Sequence, residues 1–380
     1  MTRVTISEPV LRWALARSAS PANIETKFTK LAEWMSGESR PTLRQLEKFA
    51  KATSTPFGYL FLHEPAEERL PIPYLRTIRY EPGQSPSPDM IETVWTMSRR
   101  QSWMRDYLIE QGHEPLEFVR SVGRTESPEH IGRDIRSVLG LMEGWASTQR
   151  TWTQALRELQ RSIEGIGILL SINSVVGNNT HRKLDPTEFR GFVIVDEYAP
   201  LIFINSADGK AAQMFTLAHE LAHVWLGNSA AFDLRELEPA DDVTEKLCNR
   251  IAAEFLVPAS ELRQIWQSIR KGQKPYQIIA RHFKVSEIVA ARRALDLAFI
   301  SRDEFLEFYH AYLEEESRIS GTGPVFYPTQ NLRLGRRFSE AVVRSVREGR
   351  ILYREAYRLT GLHGITFERY AEHLGFGAIP

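Results

Sequence analysis

Residues 215–223 constrain the fold of this 380-residue chain more than any other stretch. They read FTLAHELAH and contain the pattern H-E-x-x-H, in which two histidines stand four residues apart. Apolar residues recur around them at helical spacing, which predicts an amphipathic helix from Gly209 to about Gly227. We expect this helix to be half-buried, with both histidines at the border of its apolar face. That face consists of Met214, Leu217, Ala218, Leu221, Ala222 and Trp225.

The spacing of the two histidines suits a shared metal ion. Because four residues make about one helical turn, His219 and His223 lie one above the other and can bind the same cation. Imidazole nitrogens suit zinc, and Glu220 can take a proton from a metal-activated water. The motif is therefore typical of a zinc peptidase. The alternative, two purely structural histidines, would place polar groups beside a core without a partner.

A zinc site with two imidazoles needs a third protein ligand. The next predicted helix begins near Asp242 and offers Glu245, with Asn249 one turn further on to hold a ligand by a hydrogen bond. Cys248 is an alternative because thiolates bind zinc, although a small buried thiol also suits this apolar run. Asp241 and Asp242 are further alternatives.

Short β-prone runs bounded by Gly, Asn, Asp or Pro precede the motif helix. They occupy residues 166–172, 192–196 and 201–205, and we expect the polar stretch 173–185 to be a loop. Most of the remaining chain has helical spacing. The sequence therefore predicts the α+β class, with a mostly helical chain.

Composition limits the partners and the compartment. The 48 Lys and Arg residues balance 48 Asp and Glu residues, so nucleic-acid binding would need a local basic patch. The single cysteine excludes an internal disulfide framework and favours a cytoplasmic location. We see no signal peptide and no apolar run near the ~20 residues of a membrane helix, so no membrane partner is expected.

Three stretches together resemble a known family: residues 203–205, residues 215–223 and residues 245–258. They are similar to the ImmA/IrrE metallopeptidases. The resemblance implies one Zn²⁺ ion held by His219, His223 and Glu245, with Glu220 as the catalytic base; Mn²⁺ or Co²⁺ suit the same ligands. It also implies that the substrate is a repressor or another regulatory protein, cut in stress, phage or mobile-element control.

Departures from the family pattern are confined to apolar positions. Cys248, Ile251 and Val257 stand where alanine, phenylalanine and methionine are usual. None of the three replaces a proposed ligand.

Residues 34–42, WMSGESRPT, and residues 56–58 are similar to phage-repressor-type (XRE) helix-turn-helix domains. We expect a recognition helix near residues 29–36, although the usual glycine turn before it is missing. Residues 1–62 carry nine basic and five acidic side chains, a mild patch compatible with phosphate contacts. Lys30, Arg40 and Arg44 are the candidate DNA contacts. A solvated helical face or a protein-docking domain is the alternative.

The predicted organisation has four parts. Residues 1–70 form a helix-turn-helix bundle, 71–150 a helical linker region, 151–260 a small zincin-like metallopeptidase domain, and 261–380 a helical C-terminal region. A second helix-turn-helix is a candidate near residues 278–293, where a packed helical hairpin is the alternative. Arginines recur from Arg333 to Arg358, which suggests a solvated face or contact with nucleic acid or an acidic partner.

Two functions fit these sequence features. The first is a zinc endopeptidase that could hold its protein substrate as an added strand at an edge formed by residues 201–205. The second is a DNA-binding transcriptional regulator or toxin–antitoxin component in which the metal site is vestigial or structural. The candidate partners are thus a protein substrate, double-stranded DNA through the N-terminal domain, and a second copy of the chain in a homodimer.

Overall fold

The computed structural model describes residues 3–18, 20–68, 70, 86–227, 230–232, 243–316 and 333–377, without the side chains of 230–232 and 313–316. Described residues before Thr96 form one compact unit, and those from Thr96 onward form another. Helices contain 58% of the residues and strands contain 7%, which confirms the mostly helical α+β class. Among the helices in these ranges, none combines the length and apolar character needed to cross a membrane.

The first unit is a small helical bundle. Its elements are α1 (Glu8–Ala16), α2 (Pro21–Lys27), α3 (Leu31–Ser36), α4 (Leu43–Ala52) and a 3-10 turn (Phe57–Phe61). Helix α5 (Pro88–Glu110) begins in this unit and continues into the second. The apolar faces meet in a core around Leu11, Trp34 and Phe49. Phe28, between α2 and α3, meets the ring of Phe49 edge-on at 5.4 Å between centroids.

The segment between α2 and α3 has no glycine and does not need one. None of its residues has a positive φ, so an ordinary side chain is accommodated without strain. The predicted recognition helix at 29–36 corresponds to α3. The side chains of Lys30, Arg40 and Arg44 are all exposed. Their contact with DNA stays a prediction.

A capping box starts α4. The Thr42 side chain accepts a hydrogen bond from the backbone N–H of Gln45, and the Gln45 side chain accepts one from the backbone N–H of Thr42. The two bonds satisfy donors that the first helical turn cannot satisfy itself. A threonine followed three residues later by a glutamine is the sequence pattern of such a box.

The second unit contains a sheet with helices around it. Its helices are α6 (Pro128–Val138), α7 (Trp152–Gly165), α8 (Lys210–Leu226), α9 (Val243–Leu256), α10 (Ala259–Ile269), α11 (Pro275–Phe283), α12 (Glu287–Asp296), α13 (Arg302–Glu316), α14 (Arg336–Arg347), α15 (Tyr353–Thr360) and α16 (Ile365–His373). Its strands are β1 (Leu169–Asn173), β2 (Val175–Val176), β3 (Asn179–Lys183), β4 (Gly191–Ile194), β5 (Leu201–Asn205) and β6 (Ala230–Phe232).

The four-stranded sheet has the order β1-β5-β4-β6. β5 is parallel to β1 and antiparallel to β4, and β6 is antiparallel to β4. The expectation that residues 201–205 form an edge is therefore wrong, because β5 is paired on both sides. All five β5 residues are buried, so its apolar run marked a central strand.

The stretch 173–185 is not the loop that its polarity suggested. It contains the antiparallel pair β2–β3. Four of the five β3 side chains are exposed, so the strand shows little of the apolar alternation by which strands are recognised. The Asn173 side chain donates to the carbonyls of Val175 (2.7 Å) and Gly177 (2.8 Å) and thereby holds the turn.

One apolar core joins the sheet to helices that precede residues 215–223 in the chain and to helices that follow them. It includes residues of α6, α7 and α8, and it continues through α11 and α12 with Ile279, Phe283 and Ala290. The candidate second helix-turn-helix therefore packs as a hairpin whose inner face belongs to this core. Ser286 caps α12 by accepting from the N–H of Val289.

Replacing Thr42, the residue that caps α4, tests whether the capping box stabilises the first unit. Thr42→Ala removes one side of the capping box, so we expect the unit to lose about 1 kcal/mol of unfolding free energy. Denaturant unfolding followed by tryptophan fluorescence measures the loss. Thr42→Ser is the control and should stay near wild type; equal effects of both changes would show that the hydroxyl is not responsible.

Candidate metal centre

Helix α8 is buried on all sides, from Gln213 to Trp225. It packs against β4 and β5 on one side and against α6, α7 and α9 elsewhere. The expectation of a half-buried helix is therefore wrong. Its apolar stripe faces the core, but the helices around it also cover the face that carries the histidines.

Two contacts fix the end of α8. Gly227 has φ +79°, a left-handed conformation that a side chain would strain, and its N–H donates to the carbonyl of His223 at 2.9 Å. The indole N–H of Trp225 donates to Asp134 on α6 at 2.8 Å. These contacts hold the last helical turn, which includes His223.

Helix α9 is held at its far end by buried arginines. Arg136 on α6 donates to the carbonyls of Glu254 (2.8 Å) and Phe255 (3.1 Å) near the α9 C-terminus. Arg293 on α12 forms an ion pair with the Glu254 carboxylate. Fixing this end also fixes the first turn of α9, where Glu245 lies.

Three side chains from α8 and α9 converge. The Nε2 atoms of His219 and His223 are 3.1 Å apart. Glu245 places Oε2 3.0 Å from His219 Nε2 and Oε1 3.3 Å from His223 Nε2. The exposed fractions are 0%, 1% and 6% for His219, His223 and Glu245, so water is largely excluded from this cluster.

The outer nitrogen of each histidine has a different environment. His219 Nδ1 lies 3.0 Å from Asn249 Oδ1, an acceptor that favours the tautomer with hydrogen on Nδ1. That tautomer leaves a lone pair on Nε2, toward His223 and Glu245. His223 Nδ1 is buried and has no hydrogen-bond partner among the described residues.

Glu220 lies on the same helix and is fully buried. Both of its carboxylate oxygens lack a hydrogen-bond partner in the described part of the chain. Space for the carboxylate comes from Gly191 on β4: a Cβ there would lie 3.2 Å from Glu220 Oε1, 2.9 Å from the Phe203 carbonyl and 2.8 Å from Thr216 Cγ2. Gly191 was not among the predicted site residues, although a glycine that opens a strand is a signal of such a close approach.

Burial and mutual charge set the ionisation of this cluster. Burial lowers the pKa of His219, although Glu245 and Asn249 oppose the shift. Burial, followed by the charge of Glu245, raises the pKa of Glu220 well above its ordinary value. Burial also raises the pKa of Glu245, but the two histidines lower it by more, so the net shift is downward. These directions favour the carboxylate form of Glu245 and the neutral form of His219, the forms in which both groups bind metals.

Cys248 is an alternative third ligand at the same place. Cys248 is buried, and ligand atoms of Cys248, His219 and His223 lie within 4.8 Å of one another. A histidine–histidine–cysteine cluster is therefore a second donor set at the same place. Asp241 and Asp242 lie outside the described residues.

The candidate DNA contacts Lys30, Arg40 and Arg44 belong to the first compact unit.

The arrangement defines a class of protein. Two imidazoles and one anionic ligand can hold a divalent cation and leave a coordination position for water, beside a buried carboxylate. Catalytic zinc sites have this composition, whereas structural zinc sites fill four positions with protein ligands. The fold and the cluster together define a candidate metallohydrolase.

Comparison with known families agrees with this class. Residues 163–295 match the family model of the IrrE N-terminal-like domain, a metallopeptidase family. Residues 334–373 match the model of a domain of unknown function (DUF8813). No curated protein shows a significant match to the chain. The first match supports the ImmA/IrrE resemblance and extends from α7 into α12.

Filling the space at Gly191 tests how α8 is seated on the sheet. Gly191→Ala should lower the unfolding free energy by about 1–3 kcal/mol, because the neighbouring Phe203 carbonyl cannot move without shifting β5. Thermal unfolding measures the change. Gly165→Ala, at an exposed helix end with nothing within 4 Å of the new Cβ, is the matched control and should not destabilise the protein. A Gly191→Ala protein as stable as wild type would contradict the close packing.

Proposed function

We propose that residues 163–295 hold one zinc ion through His219, His223 and Glu245 and hydrolyse peptide bonds. The observation that carries the proposal is the convergence of two Nε2 atoms and one carboxylate, 3.0 to 3.3 Å apart, in a buried cluster. Two nitrogens bound at ~2.0–2.1 Å to one tetrahedral ion are ~3.3 Å apart. The three side chains therefore stand close to the spacing that a shared ion requires.

Glu245 is favoured over Cys248 as the third ligand. Its two oxygens lie 3.0 and 3.3 Å from the Nε2 atoms of His219 and His223, so one carboxylate faces both imidazoles. Cys248 also belongs to the apolar core, an environment that suits a small buried thiol. Asn249 supports the same choice, because its contact with His219 orients the ring that faces Glu245.

The residues of this chain have separable roles in peptide hydrolysis. When bound, a divalent ion supplies a Lewis acid, which lowers the pKa of water and polarises a peptide carbonyl. Glu220 takes the proton of the attacking water and delivers it to the leaving amide nitrogen. Its burial keeps the carboxylate basic enough to accept that proton, and the missing Gly191 side chain lets it remain in place.

We propose a repressor or another regulatory protein as the substrate. β6 is one of the two edge strands of the described four-stranded sheet, and its Phe232 is paired with Gly191 beside Glu220. An extended segment of the substrate could pair with β6 through main-chain hydrogen bonds, which tolerate many side chains. The proposal of this partner rests on the ImmA/IrrE resemblance.

Glu220→Gln tests the catalytic base. The variant should retain zinc and stability but lose at least about 100-fold in hydrolysis, because an amide cannot accept the water proton. Mass spectrometry of new protein N-termini, formed during incubation with an extract of the source cells, measures hydrolysis whichever protein is cut. If wild type and variant produce the same N-termini at the same rate, Glu220 is not the base.

Metal content tests the ligand set. Glu245→Ala should bind zinc at least about ten-fold more weakly than wild type, because a catalytic ligand is lost. Cys248→Ala should retain one zinc per chain, and both variants are compared after equilibration with the same free zinc concentration. Stoichiometric zinc in Glu245→Ala together with its loss in Cys248→Ala would replace the proposed ligand set by the cysteine cluster.

A second candidate function is duplex DNA binding by the first unit, with the metal site structural. Its support is the surplus of basic side chains in residues 1–62 and the exposure of Lys30, Arg40 and Arg44. An exposed basic surface binds phosphates through counterion release, which makes affinity fall with salt.

Charge removal tests this alternative. Lys30→Ala combined with Arg44→Ala should weaken duplex binding and reduce the salt slope by about two, one for each lost phosphate contact. Fluorescence anisotropy at several salt concentrations measures both. Lys51→Ala, at the end of α4, is the control. Binding that is absent in wild type or insensitive to the double change would remove the DNA function.

A further inference from the structure

A cavity of about 180 Å³ lies between α5 and α15, within the second unit. Its charged lining consists of Arg99 and Arg100 from α5 and of Arg358 and Glu355 from α15. A buried water needs roughly 10–15 Å³ of such space, so the cavity has room for a small molecule and not only for an ion. It is smaller than the ~300–1,000 Å³ of typical sites for drug-sized ligands.

Arg100 is the unusual member of this lining, because its side chain is only 6% exposed. Its Nε donates to the carbonyl of Leu359 at 2.9 Å, and Nη1 donates to the carbonyl of Arg333 at 3.4 Å. Nη2 donates to none of the described residues, and no described carboxylate forms an ion pair with the guanidinium. Buried arginines normally have such a partner, since an uncompensated charge is costly to bury.

A structural role accounts for part of this environment. Leu359 belongs to the last turn of α15, where the helix dipole favours a cation, so Arg100 ties α5 to the end of that helix. This role uses Nε and Nη1. It does not use Nη2, which has no acceptor among the described residues although Arg100 lines the cavity.

Nor does a structural role explain the surplus of positive charge. Arg99 and Arg358 are exposed, and neither forms an ion pair with a described residue. Three arginines face the cavity with Glu355 as the only acidic lining residue, which leaves a net charge of two. Burial, followed by the charge of Arg99, lowers the pKa of Arg100 to about 10, so the site disfavours its own cation in the absence of an anion.

We propose that this cavity binds a small phosphate monoester, with its phosphate oxygens on Arg99, Arg100 and Arg358. Guanidinium groups present paired donors that match phosphate oxygens, and such charge-assisted bonds are stronger than hydrogen bonds between neutral groups. The dianionic phosphate balances the net positive charge of the lining. The remaining volume accommodates a short organic group. This site is separate from the metal cluster and does not depend on the proposed peptidase function.

Isothermal titration calorimetry of the full chain tests the proposal with glycerol 3-phosphate as the probe. We expect saturable binding of glycerol 3-phosphate, weaker binding of inorganic phosphate, and no binding of glycerol. Succinate distinguishes a phosphate site from a carboxylate site and should bind more weakly than glycerol 3-phosphate.

The exposed arginines supply the decisive variants, because an Arg100 replacement could disturb the fold. Arg358→Ala and Arg99→Ala should each weaken glycerol 3-phosphate binding about ten-fold or more. Arg354→Ala is the matched control, on the same helix as Arg358 but outside the lining, and should leave the affinity unchanged. Glu355→Gln should tighten binding.

Three results would each overturn the proposal. The first is the absence of binding heat up to about 10 mM probe, where even a weak site fills. The second is an equal affinity of the Arg358→Ala and Arg354→Ala proteins. The third is tighter binding of succinate than of glycerol 3-phosphate.

Discussion

The close approach of α8 and α9 is the contact on which the organisation of the candidate metal centre depends. Each helix brings ionisable side chains into a region that excludes water, where an unpaired charge is costly. The cost is reduced because the Glu245 carboxylate lies 3.0 Å from His219 Nε2 and 3.3 Å from His223 Nε2. The arginines at the far end of α9 and the glycine beneath Glu220 therefore serve one purpose, because they fix the positions from which the three side chains meet.

The C-terminal helices are joined to the sheet through main-chain groups. The Ser171 hydroxyl on β1 donates to the carbonyl of Arg333 at 2.6 Å, and the Glu164 carboxylate on α7 accepts from the backbone N–H of Arg336 at 2.9 Å. Arg100 uses the same Arg333 carbonyl. The arginine-lined cavity is thus linked by two consecutive hydrogen bonds to β1, the strand that pairs with β5.

Much of the local structure could be read from the residues. Helix α8 with the histidine motif, the following helix α9 and the capping box at Thr42 follow from apolar spacing and from side chains that accept hydrogen bonds from backbone donors. Strands β1, β4 and β5 were predicted from their apolar runs, but the order in which they pair was not, because a fully buried strand gives no information on which side another strand will pair. The β2–β3 hairpin was missed because its side chains are polar and exposed.

The sequence by itself determined which chemistry this chain can carry, since the H-E-x-x-H spacing places two imidazoles on one turn and a carboxylate beside them. Only the tertiary structure decided how those groups are surrounded. It buried the motif helix on every side, set Glu245 against both histidines and Asn249 against one, and collected three arginines from two distant segments around one cavity. The reason is that helical spacing depends on neighbours three or four residues away, whereas burial and convergence depend on packing between elements far apart in the chain.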